Sequence, residues 1–246
     1  MTRYKASAIH LLISASVVSL IFAIIFFIWY PAPTFEIAGA MDIVLVLVGV
    51  DVVLGPLLTL IVYKKGKPSL KFDLSVIATI QLVALAYGVH TFYQERPYYM
   101  VFVVDRFALT SERYVDKSQV KYEELKHKPF ADVIMVFARS PEDPEEYQRL
   151  LRSVMEDGQP DLDARPEYWE PYSAGISFVL NKAKPIGKLK GSSDVDKQRI
   201  QDAVDRYAVE NRDIGYVPIA SFKRDFAMVL DLETAEPLGI IKVDPW

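Results

Sequence analysis

The sequence predicts a membrane protein with three transmembrane α-helices followed by an exported α+β domain with a mixed sheet. Apolar residues make up 51% of the 246-residue chain, and almost all of the long apolar runs lie in residues 1–93. Residues 94–246 hold 22 basic and 28 acidic residues spread throughout, as in an ordinary soluble domain. Short β-rich runs alternate there with amphipathic helical patterns, which is typical of an α+β fold.

Three apolar runs reach about 20 residues, the length that crosses the hydrocarbon core of a bilayer. They cover residues 8–30, 42–63 and 72–93. Aromatic residues stand at several of their ends, as is common where helices meet the membrane interface. The chain therefore divides into a transmembrane region, residues 1–93, and an exported domain, residues 94–246.

Basic residues in the short loops predict the orientation of these helices. Arg3 and Lys5 precede the first helix and four lysines lie between the second and the third, whereas residues 31–41 contain none. The positive-inside rule places the N-terminus and the lysine loop in the cytoplasm. Residues 94–246 are then expected in the periplasm of a bacterial inner membrane, or outside a single-membrane cell.

The first apolar run also has features of a signal peptide, because residues 38–40 read Ala-Gly-Ala, like a cleavage site. The run is longer than the apolar region of about 7–15 residues that signal peptides carry. We expect it to be retained as an uncleaved anchor. Cleavage would leave residues 94–246 on the same side of the membrane.

Asp51 stands in the middle of the second apolar run, where a carboxylate costs about 2.5–3.5 kcal/mol on insertion scales. Counting residues from the cytoplasmic ends of the helices places Ser19, Asp51 and Gln81 at similar depths. These positions predict one internal polar cluster. Gly55 and Pro56 follow in the same helix, and Pro56 favours a kink beside the carboxylate because it lacks a backbone donor.

The role of this polar cluster is open between three interpretations. Asp51 is either a structural hydrogen-bonding residue between helices, as buried polar residues in membranes commonly are, or it faces a groove and meets a polar group on a partner's helix. Proton or ion transport is the third interpretation, although three helices with one midplane acid offer little room for a pathway.

In the exported domain, β-rich runs predict strands and capped amphipathic runs predict helices. The predicted strands cover residues 98–105, 131–138, 174–181, 214–221, 225–234 and 237–243, with the last two as a hairpin. The predicted helices cover residues 139–158, capped by Ser140 with Pro141 in the first turn, and residues 192–211. Three prolines and several aromatic residues in 159–173 indicate an ordered loop.

Nothing in the sequence assembles a catalytic, cofactor or metal site, so we predict a protein that is not an enzyme and has no cofactor. The absence of cysteine excludes disulfides and thiolate chemistry. His127 is the one histidine of the exported domain, and its lysine neighbours suggest a solvated side chain rather than part of a Ser-His-Asp set. Paired acids in residues 161–163 and 192–196 fit a polar loop and a helix start.

The acidic excess of the exported domain argues against a nucleic acid as partner. A better candidate contact surface for a partner is the aromatic group Tyr168, Trp169 and Tyr172, because rigid aromatic side chains are favoured at interfaces. Packing within the domain's own core is the alternative for these three residues.

Several segments resemble the TfpX/TfpZ family of type IV pilin accessory proteins. They include the opening RYKASAIHLLIS, the first anchor ending in WYPAP, the motif GVDVVLGPLLTLIVYKKGK, and the segments QLVALAYG and RPYYMVFVVDRF. The resemblance covers most of the chain and is densest from Arg3 to Phe107. It implies an inner-membrane protein needed for display of its cognate pilin. The implied partners are that pilin, the lipid bilayer and other inner-membrane proteins of pilus assembly.

On this basis we expect the helices to bind the apolar N-terminal helix of the pilin and the exported domain to touch the pilin head. The expected residues are Ser19, Asp51, Gly55, Pro56 and Gln81 for the helix, and Tyr168, Trp169 and Tyr172 for the head. The competing hypothesis is a membrane-anchored periplasmic sensor or substrate-binding module unrelated to pili.

Overall fold

The computed structural model describes residues 2–126, 133–209, 212–221 and 226–246. Contacts divide the chain into two compact units, Met1–Arg96 and Pro97–Trp246. The first unit is helical and the second is built on a β-sheet.

Three helical stretches of the first unit are long and apolar enough to cross a membrane: Arg3–Trp29, Met41–Val62 and Leu70–Gln94. The first is α1 (Arg3–Ile24) and a π-helical turn (Ile25–Trp29), followed by the short α2 (Thr34–Ile37). The second consists of α3 (Met41–Val48), a π-helical turn (Gly49–Leu54) and α4 (Gly55–Val62), and the third is α5 (Leu70–Gln94). The three predicted apolar helices are thus confirmed, and the first begins earlier than expected because Thr2 caps it by accepting from the backbone N–H of Lys5.

The three long helices pack through a small apolar interior and leave most apolar side chains exposed on the outside, as lipid-facing helices do. The buried cluster consists of Val18, Ile25, Tyr30, Phe35, Ala40, Val44, Leu47 and Phe92. Gly88 of α5 lets the second span approach closely, since a Cβ there would lie 3.0 Å from Cδ1 of Leu47. Small residues at such positions are how membrane helices come into contact.

Within the described residues, the second unit contains an eight-stranded mixed sheet in the order β4-β3-β1-β2-β6-β7-β8, with β5 paired to β6. The strands are β1 (Pro97–Val103), β2 (Arg106–Ser111), β3 (Ile134–Ala138), β4 (Trp169–Pro171), β5 (Lys184–Pro185), β6 (Ile214–Ala220), β7 (Phe226–Asp231) and β8 (Pro237–Ile241). β1 is parallel to β3 and β2 is parallel to β6, while the other pairs are antiparallel. The predicted mixed-sheet α+β domain is confirmed, including the β7–β8 hairpin.

The helices of the second unit are α6 (Pro144–Met155), α7 (Ile176–Lys182) and α8 (Asp194–Tyr207). β1 is buried along almost its whole length, which explains its nearly continuous apolar sequence. One core cluster joins β1, β3 and β4 to Leu150 of α6. Another joins Ala203 of α8 to Ile214 and Val229.

The strand predicted over residues 174–181 is wrong, because the chain forms a 3-10 turn (Tyr172–Gly175) and then α7. Gly175 and Val179, four residues apart, are buried, whereas Ser177 and Phe178 between them are exposed. That spacing is helical, but a short apolar run does not by itself distinguish a strand from a buried helix.

The cap predicted for the helix of residues 139–158 is also wrong. The N-cap of α6 is Asp143, whose carboxylate accepts from the backbone N–H of Glu145 at 3.2 Å, and Pro144 occupies the first turn. Ser140 and Asp143 each precede a proline, so a capping residue followed by proline did not by itself distinguish the two positions. In the other predicted helix, Ser193 caps α8 in a capping box with Asp196.

Four predictions include residues outside the described ranges. One is the solvated side chain of His127. The others are the beginning of the strand predicted over residues 131–138, of which the structure describes β3 from Ile134, the first residue of the strand predicted over residues 225–234, and the last two residues of the helix predicted over residues 192–211.

Candidate functional site

In the second membrane span, the backbone carbonyl of Asp51 has no partner in its own helix. In the π-helical turn, the N–H of Gly55 bonds to the carbonyl of Val50, five residues back, and not to that of Asp51. The next residue, Pro56, has no N–H to offer. The Asp51 carbonyl therefore needs a donor from outside the helix, because lipid supplies none.

Gln81 of α5 supplies that donor. Its Nε2 lies 3.1 Å from the Asp51 carbonyl oxygen and 3.5 Å from the carboxylate oxygen Oδ1. Gly55 makes room for this approach, since a Cβ at residue 55 would overlap the Gln81 amide. Both polar side chains are enclosed, with 4% of Asp51 and 8% of Gln81 exposed. The structure thus brings Asp51, Gly55 and Gln81 together beside Pro56.

Two acceptors of this pair remain unfilled. Oδ2 of Asp51 and Oε1 of Gln81 are buried without a hydrogen-bond partner among the described residues. A buried acceptor without a donor is unfavourable. The pair therefore joins the second and third spans and keeps unused hydrogen-bonding capacity near the middle of the membrane unit.

A second set of polar contacts joins α1 to α4, and sequence reasoning missed it. The hydroxyl of Ser7 donates to the Pro56 carbonyl at 2.8 Å, and Nδ1 of His10 lies 2.6 Å from Oγ1 of Thr59 in a hydrogen bond. The spacing contained a signal, because residues three apart share a helix face, and Ser7 and His10 are three apart in α1 as Pro56 and Thr59 are in α4. These contacts hold the first span against the second.

Ser19 lies apart from the polar cluster. Its side chain is on the exposed face of α1, together with Ser16 and Ala23. Its depth along the helix matched that of Asp51, but depth does not fix which way a side chain points around the helix axis. The structure therefore places Ser19 on the outside of the helical unit.

The aromatic group Tyr168, Trp169 and Tyr172 of the second unit divides in the structure. Trp169 is buried against Tyr99, with ring centroids 4.7 Å apart, and its Nε1 donates to the Leu162 carbonyl at 3.0 Å. Tyr172 donates its hydroxyl to the Ala235 carbonyl at 2.7 Å. Trp169 packs the domain's own core, which is the alternative that the sequence left open, and Tyr172 is half-buried. Tyr168 is also half-buried, packs against the core cluster that contains Trp169 and borders a surface cleft.

That cleft has a volume of about 200 Å³ and is lined by both charged and aromatic groups. Arg139 donates from Nε and from a terminal nitrogen to the two carboxylate oxygens of Glu170, each at 2.7 Å, and this pairing lowers the pKa of Glu170. The Tyr168 hydroxyl donates to Glu146 at 3.2 Å, and burial together with that contact raises the pKa of Tyr168. Within the residues that the structure describes, no three His, Asp or Glu side chains gather to hold a metal ion.

Fold and site together define a class of protein: three apolar helices joined by buried hydrogen bonds, with a mixed-sheet domain at the C-terminal end, consistent with a membrane-anchored protein. The family model for the fimbrial assembly protein FimB matches residues 1–39. The chain is 39% identical to the "Fimbrial assembly protein, serogroups C1 and C2" of Dichelobacter nodosus over 110 residues, which is 44% of this chain and 84% of the relative. The chain belongs to this family of fimbrial assembly proteins.

A longer match extends the likeness through both units. The chain is 28% identical to the "Fimbrial assembly protein, serogroup I" of Dichelobacter nodosus over 234 residues, covering 92% of this chain and 90% of the relative. The serogroup E1 protein of the same organism is 27% identical over 233 residues. No solved structure matches the chain. The matches carry the fimbrial assembly name and not the TfpX/TfpZ name.

Proposed function

We propose that this protein is an inner-membrane accessory protein that binds its cognate type IV pilin and supports pilus assembly. The observation that carries the proposal is the likeness to fimbrial assembly proteins over both units of the chain. A pilin before assembly has an apolar N-terminal helix in the membrane and a globular head in the periplasm. A protein with a helical membrane unit and an exported domain has a matching part for each, and binding at both ends raises affinity through effective concentration.

The pilin helix packs on the exposed face of α1 that carries Ser16, Ser19 and Ala23. These three residues are small and exposed, so a second helix can approach the backbone closely there. Ser19 keeps the role of pilin-helix contact predicted from the sequence.

Asp51 acts on this docking through the arrangement of the helices. Because it is enclosed between the spans and bonded to Gln81, it fixes the packing of the second span against the third. The contacts of α1 with Pro56 and Thr59 then carry that arrangement to the helix that the pilin meets. Gly55 and Pro56 contribute by creating the unfilled carbonyl and the space for Gln81.

Tyr168 is the member of the aromatic group that remains available to the pilin head, since it borders the cleft beside α6. Trp169 supports this contact from inside the domain, and Tyr172 is half-buried close by in the chain. The aromatic ring and the carboxylates around it offer both apolar and charged groups to a partner.

Photo-crosslinking in living cells tests the proposal. A benzoylphenylalanine at Ser19 is expected to form a covalent adduct with the pilin, whereas the same group at Val83 on the exposed face of α5 serves as a matched lipid-facing control. A benzoylphenylalanine at Leu58 examines the second span in the same way. Absence of a pilin adduct from both Ser19 and Leu58, with normal piliation in a deletion strain, would favour a sensor or substrate-binding module instead.

The variant Asp51→Asn separates helix packing from expression. It is expected to accumulate to the normal level but to give less pilin adduct from Ser19, because the carboxylate that organises the spans has changed. Unchanged adduct formation together with normal surface pili would contradict the role proposed for Asp51.

The orientation is tested by a reporter. We place the N-terminus in the cytoplasm and residues 94–246 in the periplasm. Alkaline phosphatase fused after Trp246 is expected to be active, since it folds with its disulfides only outside the cytoplasm. A cytoplasmic reporter active at the same position would contradict the orientation.

A further inference from the structure

A cluster of lysines stands out on the acidic exported domain. Lys182, Lys184, Lys188 and Lys190 fall within nine residues, and no Asp or Glu occurs between Glu170 and Asp194. All four side chains are exposed. We call residues 182–190 the lysine segment.

The fold holds the lysine segment in a defined shape. β5 pairs Lys184 with Tyr216 and Pro185 with Gly215. This pairing needs glycine at 215, because a Cβ there would lie 2.7 Å from the Lys184 carbonyl oxygen. Ile186 and Leu189 pack into an apolar cluster beneath the segment. The apolar side chains therefore point inward and the lysines point to solvent.

Carboxylates of the described part of the domain do not neutralise the positive charge of the segment. None of the four lysines forms an ion pair with a carboxylate in the described part of the chain. The Lys184 ammonium lies 5.9 Å from the centre of the Tyr216 ring, which is a weak attraction at an exposed site. The segment is thus a basic surface available to an anionic partner.

An exposed aromatic ring adjoins this basic surface. Phe178 lies one helical turn before Lys182 on α7, and 46% of its surface is exposed. An aromatic ring next to flexible lysines is the combination that proteins use at the boundary between lipid headgroups and water. Lysine is also suited to phosphate groups whose positions are not fixed, because its ammonium is a point charge on a flexible stem.

The chain keeps the domain near a bilayer surface. Glu95 and Arg96 are the two residues between the last residue of α5 and the first of β1, and two residues span at most about 7 Å. Lipid headgroups are therefore present at high effective concentration beside the domain. This favours lipid over a soluble acidic protein as the anionic partner.

We propose that the lysine segment binds anionic phospholipid headgroups of the bilayer in which the protein is anchored, with Phe178 entering the interface beside it. This attachment would hold the exported domain in a fixed orientation on the membrane. The inference does not depend on pilin binding.

The full chain in lipid nanodiscs provides the test. Because the sequence has no cysteine, Gly187→Cys gives a single thiol for an environment-sensitive fluorophore, and space around Gly187 is open. With phosphatidylglycerol discs we expect a blue-shifted probe that is quenched by spin-labelled lipid. Because one lysine near an anionic surface contributes about a fivefold factor, quenching is expected to fall at least that much in phosphatidylcholine discs. It is also expected to disappear in 0.5 M NaCl, where the screening length is about 4 Å.

Matched variants identify the source of the signal. Replacing all four lysines with Gln is expected to abolish the quenching, replacing them with Arg to retain it, and neutralising Lys117, Lys126, Arg149 and Lys197 elsewhere in the domain to leave it unchanged. A probe at Gln148→Cys on α6 reports whether any effect is general. Equal signals from the wild-type lysine segment in the two kinds of disc would overturn the proposal. A signal that appears only when two copies of the protein share a disc would also overturn it. So would a signal that inorganic phosphate displaces at constant ionic strength.

Discussion

The side-chain amide of Gln81 donates, at 3.1 Å, to the main-chain carbonyl of Asp51, a carbonyl that its own helix leaves unfilled. The π-helical turn shifts the N–H of Gly55 to Val50, and Pro56 has no N–H, so the missing donor has to come from the third span. This contact makes the packing of two membrane helices depend on one polar side chain. It also explains why a glycine and a proline stand next to each other in the span.

Filling the space at Gly55 is a first test of the contact between Gln81 and Asp51. Gly55→Ala is expected to push the Gln81 amide away from Asp51, because the new Cβ would overlap it. We expect a loss of about 1 kcal/mol of stability in the membrane unit, the range of an interhelical hydrogen bond in lipid. Titration with sodium dodecyl sulfate, followed by circular dichroism, measures the loss. Gly49→Ala, in the same turn and with open space around it, is the matched control and is expected to cause no loss.

Removing the donor itself is a second test. Gln81→Leu removes the side-chain amide that donates to the Asp51 carbonyl and carboxylate. We expect the membrane unit to lose about 1–2 kcal/mol of stability. The double variant with Gly55→Ala is expected to add little, since both substitutions break the same contact. Fully additive losses in the detergent titration would show that the two residues act separately. Ser19→Ala, on the exposed face, is expected to leave stability unchanged.

The ion pair between Arg139 and Glu170 provides a prediction in the mixed-sheet domain. Glu170→Gln is expected to lower the free energy of unfolding by about 1 kcal/mol at pH 7, because it removes one half of a bidentate, partly exposed pair. The pKa of Glu170 is lowered in the folded state. The stabilisation is therefore present above the unfolded pKa of the carboxyl and is lost as pH falls through its folded value.

Urea unfolding of the protein in detergent micelles, at pH 7 and at successively lower pH, measures this dependence. The difference between wild type and variant should shrink in the acid range. Glu145→Gln is the control, since its exposed carboxylate lies 3.8 Å from Arg149 in a weaker pair. A difference that stays constant down to the lowest pH at which the domain folds would contradict the assignment.

Asp163 is expected to show the opposite behaviour. Burial, and then the negative charge of Asp161, raise the pKa of Asp163, so its ionised form opposes folding. Asp163→Asn is expected to increase the stability of the domain at pH 7 while the bond from the Thr110 hydroxyl to the main-chain carbonyl is kept. The gain should shrink as pH falls through the raised pKa and vanish below the pKa of the unfolded state, because protonated Asp163 then resembles Asn.

The same urea titrations measure the effect of Asp163→Asn. The exposed Asp157→Asn serves as the control for a general change in charge. A destabilisation by Asp163→Asn at neutral pH would mean that the surroundings stabilise the ionised carboxylate, which is the opposite of a raised pKa.

The polar residues of the membrane unit show how much of the candidate site could be predicted from the sequence. Asp51 and Gln81 were expected at one depth because a helix rises by a fixed amount per residue, and the structure joins them. Ser19 has a similar depth but points outward, and the Ser7 and His10 contacts were missed. Rotation of a helix about its axis follows from which neighbour it packs against, and an apolar sequence facing lipid on most sides carries little of that information.

The mixed-sheet domain also has some features that the sequence predicted and others that it did not. The hairpin of β7 and β8 follows from two β-rich runs separated by a short turn, whereas Ala174–Asn181 reads like a strand and forms α7. Tertiary contacts of this segment accompany the helical structure. Gly175 lies against the ring of Phe137, where there is no room for a side chain. A close contact between residues so far apart in the chain has no local signature.

The sequence alone determined the three apolar spans, the acidic mixed-sheet domain after them and the isolated carboxylate, because length, hydropathy and alternation are properties of consecutive residues. Only the tertiary structure decided which polar groups meet, which aromatic rings are buried and where the lysines of residues 182–190 point. Those facts depend on packing between segments distant in the chain. The role of a carbonyl without a donor, or of a glycine without a side chain, is decided by the residue that contacts it there.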